Sequence, residues 1–217
     1  MDSQTLNKIN QFFSSYPHRS YPKSQILIFA GESPEHIFYL TSGKVRQYAI
    51  TYRGDEIVVN IFKPPAFFPM SWAINRSSND YFYKTEEPAE VHIVPADDAL
   101  NFIKENPAVM LDLLSRLYRG MDGLLGRLVH LMSGSAKSRL LYELLIECRR
   151  FGKALAGGKK LLLTINESDL AARSGLARET VSREMQKLKD DDQVDITPKG
   201  IVVTDVKKLE AYLGGSL

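Results

Sequence analysis

In the segment ESDLAARSGLARETVSREMQKL, which begins at Glu167, five polar side chains stand close together: Arg178, Glu179, Thr180, Ser182 and Arg183. These residue types can do the chemistry of base-edge hydrogen bonding. An arginine fork donates twice to O6 and N7 of a guanine, a glutamate accepts from N4 of a cytosine, and hydroxyls suit either bases or phosphates. At helical spacing Arg178, Glu179 and Thr180 open an outward face that Ser182 and Arg183 continue one turn later, while Val181, Met185 and Leu188 fall on the inner face. That inner face needs a surface to pack on. Leu170 and Ala171 give a preceding helix a small apolar face, Gly175 supplies a sharp turn, and Leu176 fills the space between, so two closely crossing helices are expected. A plain solvated helix with a Glu179–Arg183 pair across one turn accounts for the charges, but not for the turn and apolar pattern before them.

The flanking segments complete a recognisable order. LLLTIN precedes the two helices, and QVDITPKG and IVVTD follow them as short strands, with Thr197, Lys199 and Gly200 at the tip. Helix and strand in this order make a winged helix, with Lys199 placed either to meet a phosphate or to stand as an ordinary exposed lysine. Upstream lies FGKALAGGKK, a loop rich in glycine and lysine.

Such a reader needs a frame. Leu114, Leu117, Met121, Leu124, Leu128 and Leu131 alternate at three- and four-residue steps, an a/d seam that predicts a long dimerisation helix. The same stripe could pack on the chain's own N-terminal half. However, Gly120, Gly123 and Gly126 weaken an isolated helix, which makes a partner helix the expected support. Asn106 is placed to cap this helix, and Pro107 suits its first turn. Ser133, Gly134 and Ser135 interrupt it, and Ser135 can cap a new helix running through Arg139, Leu140, Leu141, Leu144 and Leu145. This break is the expected hinge, about which an effector would bias the rotation of the DNA-reading parts.

From about Ile26 to Val94 the texture is short β-type runs: QILIFAG, HIFYLTSG, KVRQYAITYRGD, EIVVNIF, YFYKTE and EVHIVP. Gly31, Gly43 and Gly54 punctuate them at intervals that suit hairpin turns with positive φ. An antiparallel β-roll is expected, with a helix before it from the spacing of Leu6, Ile9, Phe12 and Phe13, and a short helix after it over Asp97–Glu105. The expected fold class is therefore α+β: residues 1–105 a β-roll sensor, 106–134 a dimerisation helix and hinge, 135–217 a winged-helix domain.

Composition sets the outer limits. The chain has 217 residues, 44% hydrophobic and 25% charged, the make-up of a folded globular protein. No apolar run approaches the length of a membrane span and the N-terminus does not read as a signal peptide, so a cytoplasmic protein is expected. Cys148 is the only cysteine, which excludes an internal disulfide, a cysteine-held iron–sulfur cluster and a CxxC redox pair, and reads as a buried structural thiol. His18, His36, His92 and His130 lack metal-site spacing, so no metal centre and no enzyme are expected. The net charge of +2 decides nothing about nucleic acid, since what matters is where basic groups cluster.

The residues from the β-roll glycines through the seam helix to the wing resemble the cyclic AMP receptor protein/FNR (Crp/Fnr) family of regulators. Arg178-Glu179-Thr180-Val181-Ser182-Arg183 is similar, residue for residue, to that family's recognition helix. The resemblance implies a homodimer on a palindromic operator in double-stranded DNA, with Arg178, Glu179 and Arg183 reading bases, Thr180 at a phosphate, and RNA polymerase as a partner. Ala177 departs from the serine common before that arginine, which removes one phosphate contact. The sensor half departs further. Where cyclic-AMP-binding members carry a Gly-Glu pair and then an Arg-Ser or Arg-Thr pair, this chain has Pro69-Met70 after Phe67-Phe68, and Asn79-Asp80. A carboxylate repels a phosphate and a proline lacks the donor N–H, so an effector other than cyclic AMP is expected. Arg76-Ser77, a literal Arg-Ser, lies a few residues early.

The cofactor is left open by the sequence. A heme needs only one histidine and an N-terminal amine, but His36 and His92 are expected on strand surfaces. Phe67, Phe68, Trp72, Arg76, Asn79, Tyr81 and Tyr83 are the candidates for an effector pocket, with ordinary core aromatics as the alternative. Two other functions stand beside DNA reading by an effector-gated factor. One is a regulator of the same family that needs no ligand. The other is a cyclic-nucleotide-type ligand module, or a cupin-like enzyme, with a helical tail for protein contacts; the histidines speak against the enzyme, and the recognition helix against the tail.

Overall fold

The computed structural model describes residues 2–155 and 160–213. The chain divides into two compact units, Met1–Leu117 and Tyr118–Leu217, each described by itself below.

The first unit begins with α1 (Ser3–Phe13), capped by Asp2, whose carboxylate accepts from the Thr5 amide at 2.8 Å. Eight strands follow: β1 (His18–Tyr21), β2 (Ile26–Ile28), β3 (His36–Ser42), β4 (Val45–Ile50), β5 (Glu56–Phe62), β6 (Ala66–Phe68), β7 (Phe82–Thr85) and β8 (Ala89–Pro95). They form two antiparallel sheets of order β1-β8-β3-β6 and β2-β7-β4-β5. This is the expected roll, and Gly31, Gly43 and Gly54 take positive φ in it, at 84°, 84° and 88°. Gly43 is needed twice over, since a Cβ there would also stand 2.3 Å from the Pro88 carbonyl oxygen. The short helix α2 (Met70–Asn75) separates β6 from β7, and α3 (Ala96–Glu105) follows the roll.

Two cores fill this unit. One lies under α1, α3 and the first turns of the next helix, and joins Ile9, Phe13, Ile37, Tyr39, Phe67, Trp72, Val94, Ile103 and Val109. The other is inside the roll and joins Ile28, Phe38, Leu40, Val45, Phe68, Tyr83 and Val91. Its centre is a stack of rings. Phe68 lies between Phe38, at 5.5 Å and 5°, and Tyr83, at 5.4 Å and 9°, with Phe62 5.1 Å away. Burial inside this stack pushes the Tyr83 phenol well above its ordinary pKa.

The long helix α4 (Pro107–Ser133) runs from the first unit into the second. The Asn106 side chain turns away from it and donates to the Phe102 carbonyl of α3 at 2.8 Å. The α4 start is held instead by the Asn106 backbone carbonyl, which accepts from Val109 and Met110. All six seam residues, Leu114, Leu117, Met121, Leu124, Leu128 and Leu131, are exposed, as are Leu111, Tyr118, Leu125, Val129 and Met132.

The second unit contains the rest of α4, then α5 (Ala136–Phe151), β9 (Lys153–Ala154), β10 (Leu161–Leu163), α6 (Glu167–Ser174), α7 (Arg178–Asp190), β11 (Val194–Thr197), β12 (Gly200–Val203) and α8 (Val206–Tyr212). Part of the FGKALAGGKK loop, residues 156–159, lies outside the described residues. The strands pair in the order β11-β12-β10-β9, and the core joins Leu140, Leu144, Leu163, Leu170, Val181, Met185, Leu188, Ile201 and Leu209. The break between α4 and α5 is where the serines and glycine place it, with Ser135 Oγ accepting from the Ser138 amide at 3.2 Å.

Helices α4 and α5 are locked together beyond that break. The Arg127 guanidinium donates two bonds to the Glu143 carboxylate, at 2.5 and 2.9 Å. Beside them Tyr142 lies over Gly126, where a Cβ would stand 1.7 Å from the phenol oxygen. Gly126 thus receives α5 of its own chain, whereas a Cβ at Gly120 or Gly123 would meet nothing within 4 Å.

Candidate nucleic-acid interface

The reading element is built from its inner face outward. Asn166 and Asp169 cap α6 reciprocally: the Asn166 side chain accepts from the Asp169 amide at 2.9 Å, and the Asp169 carboxylate accepts from the Asn166 amide at 3.1 Å. The helix ends at Gly175 in the left-handed region, φ 62°, where a side chain is strained. The chain can then turn sharply into α7. Leu176 packs against the core, and Val181, Met185 and Leu188 are buried as the pattern requires.

The opposite face of α7 is open. Arg178, Glu179, Ser182 and Arg183 are exposed and Thr180 is half-buried. Among the described residues, no hydrogen bond or ion pair engages the side chains of Arg178, Glu179, Ser182 or Arg183, and the Glu179–Arg183 pair of an ordinary solvated helix is not made. Pairing starts only in the later turns, with Lys187–Glu184 at 2.7 Å and Gln186–Asp190 at 2.8 Å. The N-terminal half of α7, the part that enters a groove in helix-turn-helix proteins, therefore carries donors and acceptors that can bond bases without first breaking internal bonds. Ala177 at its start gives no side-chain cap. Lys199 is exposed in the turn between β11 and β12, beside the bond from Thr197 Oγ1 to the Gly200 carbonyl at 2.8 Å.

Three charged residues of α5 support this element, and sequence reasoning had not singled out their roles. Arg139 donates from one terminal nitrogen to the carbonyls of Ser174 and Gly175, at 2.6 and 2.8 Å. Glu143 holds Arg127 of α4, and the buried Glu147 pairs with the buried Arg173 of α6. Their signal was present: positions 139, 143 and 147 are four apart, so they form one stripe along the helix, beside the buried Leu140 and Leu144.

Two family descriptions match this chain: a cyclic nucleotide-binding domain over residues 18–106 and a Crp-like helix-turn-helix domain over residues 138–212. The chain belongs to the Crp/Fnr family of transcription regulators. It is 28% identical over 189 residues to the global nitrogen regulator of Synechocystis, covering 85% of this chain and 83% of that protein. It is 26% identical over 208 residues to the cyclic AMP receptor protein of Thermus thermophilus, covering 96% and 93%. Among solved structures, a CooA variant from Carboxydothermus hydrogenoformans shares the fold with a TM-score of 0.81 at 22% identity, over 98% of this chain and 96% of that one. The c-di-GMP-responsive regulator CLP of Xanthomonas campestris does so with a TM-score of 0.78 at 18% identity, over 94% and 99%.

The sensor half of this Crp/Fnr chain departs from the expected pocket. Phe67 and Trp72 are buried in the core under α1 and α3, while Phe68 and Tyr83 belong to the ring stack inside the roll, with Tyr81 packed against it. The set is thus divided between two cores: Phe67 and Phe68, neighbours on β6, face opposite ways, and α2 places Trp72 on the side of Phe67. Asn79 is buried, and its amide is used up on the carbonyls of Phe29 and Tyr81, both at 2.9 Å. Arg76 ends α2 in the left-handed region, φ 51°, pairs with Asp97 and lies 5.7 Å over the Trp72 ring.

His36 is half-buried in β3. His92 has Nδ1 3.0 Å from the Tyr16 carbonyl, and its ring is 5.2 Å from that of His18. The N-terminal amine lies outside the described residues. Among the described residues no group of three or more histidines, cysteines and acids is arranged to hold a metal ion, and no helix is long and apolar enough to cross a membrane.

Proposed function

We propose that this regulator binds a two-fold symmetric operator as a homodimer, reading bases with Arg178, Glu179, Ser182 and Arg183 and meeting phosphates with Thr180 and Lys199. The observation that carries the reading is the unengaged polar face on the first turns of α7 above a fully buried inner face. The exposed leucine and methionine row of α4 supports dimerisation through that helix, since an apolar face of this extent marks a contact surface. Two copies related by a two-fold axis would present their α7 helices to half-sites about one helical turn apart. The bound dimer acts on RNA polymerase.

Cyclic AMP is not the signal on this reading. The ring stack occupies the roll interior, the Asn79 amide is committed to two carbonyls, and Arg76 is turned to Asp97 and Trp72 rather than into the roll. Selection of sites from a randomised duplex pool at fixed salt tests the function. A two-fold symmetric site is expected, with Arg178→Ala weakening it by about 1–3 kcal/mol and relaxing the preference at one base pair of each half-site. Recovery of no preferred site, with equal affinity for wild type and Arg178→Ala, would overturn it.

A further inference from the structure

We propose that Arg139 is a positioning residue for sequence reading, fixing from α5 the turn out of which the reading helix departs; the inference rests on the DNA-reading function above. At the end of α6 the last carbonyls have no partners within the helix. Arg139 supplies a partner to two of them, with one guanidinium nitrogen 2.6 Å from the Ser174 oxygen and 2.8 Å from the Gly175 oxygen. Bonds from a cation are the stronger kind, and a cation at a helix C-terminus also suits its dipole. Only Leu176 and Ala177 separate the clamped Gly175 carbonyl from Arg178, the first residue of α7.

Two further observations show why the clamp matters here. Helix α7 begins without a side-chain cap, Ala177 having none to offer, so the direction of its first turn depends on the turn before it. Moreover, Arg139 forms no ion pair among the described residues, and its Nε is buried without a partner. The side chain is thus held by the two turn carbonyls and not by a carboxylate. Its backbone amide bonds the Ser135 carbonyl at 3.1 Å, and along the same stripe lies Glu143, tied to Arg127. The residue that orients the reader therefore belongs to the helix that is locked to α4.

The test compares Arg139→Met and Arg139→Lys with wild type in the full chain, by anisotropy binding to the selected site and to a scrambled duplex over a range of salt. The readout is the ratio of the two affinities, in which a lost positive charge, acting on both duplexes alike, cancels. Arg139→Met is expected to lower that ratio by about tenfold or more, with the salt slope and far-UV circular dichroism retained. Arg139→Lys, which keeps a cation on a shorter arm, is expected to recover part of it. An unchanged ratio in Arg139→Met overturns the proposal, as does a parallel fall of both affinities and of helix content in both variants, which is the mark of a merely structural residue. A wild type that does not discriminate between the duplexes overturns the DNA reading itself, and this inference with it.

Discussion

Replacing Arg127 by methionine should destabilise the second unit more than replacing its partner Glu143 by leucine, although both changes break one ion pair. The two ends differ in environment: the Glu143 side chain is 3% exposed and that of Arg127 is 22% exposed. Arg127→Met leaves a carboxylate buried with its main partner gone, a change that costs about 3–5 kcal/mol. Glu143→Leu leaves a guanidinium on a long stem already partly in water, which can turn outward, and the partial exposure screens the lost attraction. About 1–2 kcal/mol is expected there. The double variant replaces the pair by apolar groups of similar size and should regain most of the loss seen in Arg127→Met. For a unit of this size, 3 kcal/mol corresponds to a fall of about 12 °C or more in melting midpoint. Urea and thermal unfolding followed by far-UV circular dichroism measure it, and Trp72, the only tryptophan, reports the first unit by fluorescence as an internal control. Glu143→Leu proving as costly as Arg127→Met, or a double variant no better than Arg127→Met, would refute the assignment of the larger cost to the buried carboxylate.

Other outcomes can be checked directly. Leu124→Asp puts a charge in the middle of the exposed α4 row; sedimentation should then show a monomer, with operator affinity down by at least about a hundredfold. Tight site-specific binding by that monomer would remove dimerisation from the mechanism. Burial pushes the Cys148 thiol up to about 12, so at pH 8 it should resist a thiol reagent in the native state and react fully in urea. Cyclic AMP should leave the melting curve unmoved; a true ligand at a hundred times its dissociation constant adds about 2.7 kcal/mol, a shift easily seen.

The parts of this fold legible in the sequence are those fixed by local chemistry. Gly31, Gly43 and Gly54 marked turns because few other residues accept positive φ. Ser135 marked a cap, and the spacing of Val181, Met185 and Leu188 marked the face that packs. The Asn166–Asp169 capping box is equally local, two side chains three residues apart. What was not legible depended on partners distant in the chain. Glu143 and Glu147 are ordinary helix-surface residue types, and only the arrival of Arg127 and Arg173 makes them interior ones. The position of Asn106 suits a cap, but its amide donates to a carbonyl on the preceding helix. The aromatic candidates of the sensor half failed to converge for a related reason: alternation along a strand says that two rings face opposite ways, but not which of two cores each will meet. The short helix α2, without a side-chain cap, sends Trp72 to one core while Tyr83 stays in the other.

The notch at Gly126 has a mechanical consequence. With α5 seated through Tyr142 where a side chain on α4 would otherwise project, the angle between the two helices is set by the absence of a methyl group. Helix α5 has 16 residues, an arm of about 24 Å. One methyl group in the notch would therefore act as a shim, changing the angle at which α5, and the elements packed on it, leave α4.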